Sequence, residues 1–222
     1  MILRLPLHFL AALILPLSPQ IAAGADKAIT LRLLACEVSK ELVKVFLESK
    51  ESKSDVFEIS SSALSKPIAV SARAVEIKVP DSEVPPCPIT LPGEGRSFAI
   101  LLAPEEPAGF VPVVIRLDDG SFKAGDYYFV NRTAKTVVLK LGAAEVVLDA
   151  GDFVKSRPTE PVHNHHYNIT MSARGDSGDK VFASTRWPLV NQNRGFIIFL
   201  TGSNGRITYR AVDDFIEEAA GK

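Results

Sequence analysis

The stretch "FIIFLTGSNGRITYR", Phe196 to Arg210, decides the fold class. Phe196 to Leu200 are apolar at every position, as a strand is when both its faces are covered. Asn204-Gly205 follows, a dipeptide that suits the positive φ angles of a type I′ hairpin turn. In the second arm Ile207, Tyr209 and Ala211 alternate with Thr208 and Arg210, the period of a strand with one face towards water. One covered strand and one outer strand make a hairpin, and the rest of the chain repeats that grammar.

Working outward, short runs rich in Val, Ile, Phe and Tyr recur, among them "AITLRLLA" (28–35), "SFAILLA" (97–103), "FVPVVIRL" (110–117) and "YNITMSA" (167–173). Turn clusters such as "DDGS" (118–121), "LDAGD" (148–152) and "RGDSGD" (174–179) separate them. Strands at this spacing, without long helical runs between them, predict sandwich or barrel architecture rather than βαβ units. "GDYYFVNRTAKTVVLKLGAAEVVLDAGD" (125–152) reads as a three-stranded meander, with Val137, Leu139 and Leu141 on one face and Val138 and Lys140 on the other. "EVSKELVKVFLESKESK" (37–53) has helix-forming composition, yet the alternation of Val43, Val45 and Leu47 with Lys44 and Phe46 favours a strand. "DDFIEEAAGK" (213–222) reads as a short helix or a frayed tail.

The fold class expected is therefore all-β: two immunoglobulin-like β-sandwich units, or one larger antiparallel sandwich. "RLDDGSFKAGD" (116–126) is the natural boundary, giving units over 28–118 and 119–218. About 200 residues suffice for two small cores or one large one.

Residues 1–25 read as a secretory signal. Arg4 opens it, an apolar stretch from Leu5 to about Leu17 follows, and Ala23 and Ala25 fit the small-residue cleavage pattern. That stretch is shorter than the ~20 residues a membrane-spanning helix needs. No later segment is long and apolar enough to span, so the mature chain is expected in the periplasm or outside the cell. Its formal charge, -1 for the whole chain, becomes about -2 once Arg4 is lost. A near-neutral chain without a basic run argues against nucleic acid as a partner. In an oxidising compartment Cys36 and Cys87 are expected to pair, closing a loop of about 50 residues worth roughly 4 kcal/mol, with two free buried thiols as the alternative.

"GDYYFVN" (125–131), "LG" (141–142) and "LDAGD" (148–152), followed by "RWP" (186–188), "RGFIIFL" (194–200) and "RAVDD" (210–214), resemble a group of secreted, all-β bacterial proteins with no assigned activity. The resemblance implies a β-sandwich in a bacterial envelope setting and brings no catalytic residues.

Every histidine of the mature chain lies in "PVHNHHYNIT" (161–170). On a strand, His163 and His165 would share the face of Tyr167, Ile169 and Met171, with Cβ atoms roughly 7 Å apart. His-x-His at that distance suits copper or zinc, with His166 nearby. A third or fourth ligand would have to be a carboxylate such as Glu160 or Asp176. The alternative is that these are histidines at the rim of a strand.

Other motifs are weaker. Gly175-Asp176-Ser177-Gly178 looks like a serine-protease nucleophile segment, but no histidine precedes it in the mature chain to act as base. Arg174-Gly175-Asp176 reads as a hairpin loop rather than an adhesion tripeptide. Asn131-Arg132-Thr133 and Asn168-Ile169-Thr170 are sequons, both expected to be accessible. Trp187 is either a ligand platform or core filling beside Pro188. Three functions follow in order: a non-enzymatic exported protein that binds an envelope or extracellular protein or glycan, or plays a structural role there; a copper- or zinc-binding module; and an enzyme whose site the sequence does not reveal.

Overall fold

The computed structural model describes residues 28–37, 44–104, 109–159, 165–189, 192–202 and 204–216. The signal segment, His163, Glu160 and the tail 217–222 lie outside them. Among the described residues there is no helix. Sixteen strands among these residues form four four-stranded sheets. The first eight are β1 (Ile29–Ala35), β2 (Lys44–Glu48), β3 (Phe57–Glu58), β4 (Ile68–Val70), β5 (Ala74–Lys78), β6 (Cys87–Thr90), β7 (Ser97–Pro104) and β8 (Phe110–Arg116). The second eight are β9 (Tyr127–Asn131), β10 (Val137–Leu141), β11 (Ala144–Leu148), β12 (Phe153–Ser156), β13 (His166–Ala173), β14 (Lys180–Pro188), β15 (Asn193–Thr201) and β16 (Ile207–Phe215).

The sheet orders reveal a duplication. β4-β1-β7-β8 and β3-β2-β5-β6 make the first unit; β12-β9-β15-β16 and β11-β10-β13-β14 make the second. Adding eight to each strand number of the first unit gives the second. The sense of pairing is kept too: β1 runs parallel to β7, and β9 runs parallel to β15, while the other pairs are antiparallel. One eight-stranded sandwich thus occurs twice.

Three apolar cores separate the four sheets. Leu31, Leu33, Phe98 and Ile100 meet Val45, Leu47, Val75 and Ile89 in the first. Phe129, Ile197 and Phe199 meet Leu139, Ile169 and Met171 in the third. Between them lies a second core, in which Leu34, Leu101, Val113 and Ile115 of the first unit pack on Val130, Phe196, Ile198 and Val212 of the second. The layers therefore stack as one run of four sheets, arranged as two pairs, consistent with two sandwich units. β7 and β15 are inner strands covered on both faces, which is why residues 98–103 and 196–200 are continuously apolar.

A buried ion network crosses this middle layer. Asp214, only 2% exposed at its side chain, accepts from Arg194 at 3.0 Å and pairs with Arg32 of the first unit. Arg194 also donates to the backbone carbonyls of Leu117 and Phe122 at 2.7 and 2.8 Å, and its guanidinium lies over the Phe122 ring. One arginine thus fixes the connection between the units as well as its own strand.

The structure departs from the sequence reading in four places. The meander is broken, because β9 joins the sheet of β15 while β10 and β11 form a hairpin in the facing sheet. Asn131 holds the corner between them: its amide donates to the carbonyls of Lys135, Leu148 and Asp149, and its oxygen accepts from Thr133. The β15–β16 hairpin closes through residues 202–206 rather than a two-residue turn, with Gly205 at a φ of 71° after the Gly202-to-Gly205 turn. The polar face of β16 meets the first unit, where Val212 and Asp214 are buried, instead of water. Asp213 to Phe215 continue that strand and are not helical. Residues 44–48 do form a strand, as the alternation favours.

Candidate functional site

The histidine and tryptophan features, some twenty residues apart in sequence, become neighbours. His166 lies opposite Pro188, and Tyr167 lies opposite Trp187, at one end of the β13–β14 hairpin. Along β13, Tyr167, Ile169 and Met171 are buried and Asn168 is exposed, as a period of two requires. The alternation stops at His165. That residue has a φ of 61°, sits exposed in a turn, and accepts the Leu189 N–H through its carbonyl at 2.7 Å.

This corrects the metal geometry. His165 is not on the strand and does not extend the Tyr167 face, and His163 lies outside the described residues. Asp176 is in the hairpin loop at the far end of β13, roughly 25 Å away for eight strand residues. Among the described residues no group of three or more His, Cys, Asp or Glu is placed to hold a metal ion.

Trp187 is half-buried and turned inward. Its ring runs within 5° of parallel to Phe129 at 6.3 Å and lies 5.2 Å from Tyr127. Tyr127 in turn covers Gly195. A Cβ on Gly195 would come 2.7 Å from the ring, so only glycine permits this approach. Burial pushes the Tyr127 phenol above its ordinary range, and the nearby Asp213 carboxylate adds to the shift. Asp213 stands opposite Gly195 on β16, and two residues on Phe215 is 75% exposed. The end of the second unit thus gathers Trp187 and Tyr127, with Asp213 near the Tyr127 phenol. Its Trp187 acts as core filling on the inner side and leaves only part of its surface to solvent.

The expected Cys36–Cys87 bridge is not formed, and both thiols are buried. They lie on opposite sides of one sheet. Cys87 belongs to the first core and donates to the Phe110 carbonyl at 3.3 Å, whereas Cys36 belongs to the middle core. Desolvation pushes the Cys36 thiol up to about 12, with Arg132 and Arg210 acting in the other direction. Strand parity carried this signal: Leu31, Leu33 and Ala35 face the first core, so Cys36 faces away from it.

Two grooves on the first unit were not legible in advance. One, of about 490 Å³, lies between Phe46 and the proline-rich segment of Pro80, Val84 and Pro86, with Lys53 over the Phe46 ring. Phe46 marked it, since an apolar side chain there stands on the face opposite Val45 and Leu47. The other, of about 630 Å³, is bordered by Ile29, Val70, Arg73 and Arg96. Arg73 spends its guanidinium on the carbonyls of Pro92 and Gly95.

Protein-family models give no match to the chain, and neither do curated proteins. The reading of function therefore rests on the sequence and the geometry.

Proposed function

We propose that this is an exported, non-enzymatic protein of the cell envelope or its exterior, in which the first unit is a support and the second unit binds a partner protein. One observation carries the reading. Of the seven large apolar side chains exposed among the described residues, six belong to the second unit: Val147, Phe153, Val154, Val181, Leu189 and Phe215. Val147 and Val181 end a row that crosses the outer face of the β11-β10-β13-β14 sheet through Val138 and Ser172. Val147 and Val181 thus stand roughly 14 Å apart at the usual strand spacing, with the buried Val138 and Ser172 between them. Export is supported by the leader at residues 1–25 and by the resemblance to secreted all-β bacterial proteins. A glycan is the weaker choice of partner, because Trp187 gives one side of its ring to the core.

Photo-crosslinking in cells that export the protein tests this. Probes at Val147 and Val181 are expected to give a discrete protein adduct that a probe at Glu94, on the first unit, does not give. Equal labelling from all three positions, or none from Val147 and Val181, would count against it.

Copper or zinc binding is the second reading, supported by the crowding of His165 and His166 beside Trp187 at one strand end. Elemental analysis of untagged protein, with titration of a His163→Ala/His165→Ala variant, tests that reading directly.

A further inference from the structure

The two units share a topology but protect their sheet edges differently. An open edge strand is a template for another chain, and proteins blunt such edges by shortness, proline, bulges or charge. In the first unit β3 has two residues and β4 three. The other two edges, β6 and β8, carry Pro88 and Pro112. In the second unit β11 and β12 have five and four residues. β14 is longer, but its pairing breaks where Phe182 is inserted opposite the Met171–Ser172 step. A bulge of that kind twists an edge away from flat pairing.

β16 lacks the first three of these devices. It runs nine residues from Ile207 to Phe215, pairs with β15 at every position without a shift, and contains no proline. Its charges are largely spent inside the molecule: Asp214 is held by Arg194 and Arg32, and Arg210 donates to the Ser61 carbonyl. At its end stands Phe215, the most exposed of the large apolar side chains among the described residues.

We infer that β16 is a self-pairing edge, on which a second copy of this chain docks antiparallel about a two-fold axis at Ala211. The strand's own sequence fits that occupant. Ile207 and Phe215 are equidistant from Ala211 and on one face, so each Phe215 meets the partner's Ile207. Tyr209 and Asp213 are likewise equidistant, which sets a phenol donor opposite a carboxylate acceptor. The small exposed Ala211 lies on the axis, where two side chains must approach within roughly 5 Å. The contact joins two sheets into one of eight strands. It is isologous, as closed two-fold dimers are.

The mature chain in solution decides the matter. Light scattering over a concentration series is expected to rise from one chain mass towards two. Ala211→Lys, which sets like charges on the axis, is expected to hold the mass at one chain while keeping the circular-dichroism spectrum of wild type. Ala211→Cys is expected to cross-link to itself under mild oxidation. Thr208→Cys is not, since its own copy would lie about 20 Å away along the paired strands. The native thiols do not compete, because both are buried. A chain mass of one at all concentrations overturns the inference. So does a dimer that survives Ala211→Lys, or equal cross-linking by the two cysteine variants.

Discussion

The ring of Tyr127 lies directly on Gly195, across the parallel pairing of β9 with β15, and from there reaches Trp187. Strand glycine is ordinarily a weakness, because it has no side chain to pack. Here the aromatic ring fills the vacant space. Gly195→Ala is therefore expected to destabilise by about 1–3 kcal/mol, the usual cost of forcing extra volume into a packed site. The same substitution in a Tyr127→Ala background is expected to cost much less. Urea unfolding of the four proteins of this cycle measures the coupling, and additive costs would refute it.

Asp214 is the second point of leverage. Its removal leaves Arg194 buried without its carboxylate, and breaking a buried pair in this way typically costs about 3–5 kcal/mol. Asp214→Ala is expected to lose stability in that range. Arg32→Ala is expected to lose less, since Arg32 is 28% exposed at its side chain and water can replace it beside the carboxylate. Chemical denaturation of both variants, followed by tryptophan fluorescence, gives the comparison.

The buried thiols predict an alkaline effect. Folding raises the Cys36 pKa from 9.0 to about 12, so the folded state disfavours the thiolate that the unfolded chain forms. The stability this group contributes is complete below pH 9 and is lost as pH rises from 9 towards 12. Cys36→Ala is expected to flatten that part of the stability profile. Native protein is also expected to resist a thiol reagent at pH 8 until denaturant is added, when both cysteines react.

The two sequons separate cleanly. Asn131 is fully buried with its amide spent on three carbonyls, whereas Asn168 is exposed on the outer face of β13. Folded protein secreted from a eukaryotic host is expected to carry a glycan at Asn168 and none at Asn131. Peptide mass mapping reads the occupancy. Asn131→Ala is expected to cost about 3 kcal/mol, since it strands several buried polar groups at the corner.

Much of the fold was legible because strand parity is a local property. Tyr167, Ile169 and Met171 face inward as their spacing predicts, and the unbroken apolar run from Phe196 marks a strand covered on both faces. What was lost were properties that parity does not encode. The switch of β9 into another sheet depends on the Asn131 hydrogen bonds, which look in sequence like an ordinary turn. The left-handed backbone at His165 removes it from a register that its neighbours keep. The Cys36–Cys87 expectation counted residues along the chain but ignored the side of the sheet each would face. The duplication was hidden as well, because "SFAILLAP" of β7 and "NRGFIIFLT" of β15 share apolar character and little else.

The middle core has a consequence for how the molecule came together and how it can be divided. Equivalent faces of two equivalent sheets are pressed against each other, as they would be if two copies of an ancestral module had associated before their genes were joined. Each half covers the face that the other would otherwise expose. A chain severed within 117–126 would leave Leu34, Leu101 and Ile115 on one fragment and Phe196, Ile198 and Val212 on the other, all facing water. Such fragments depend on recombining, so their fate is set by concentration rather than by sequence alone. The linker makes that reunion intramolecular, and the surface each half hides is never offered to a stranger.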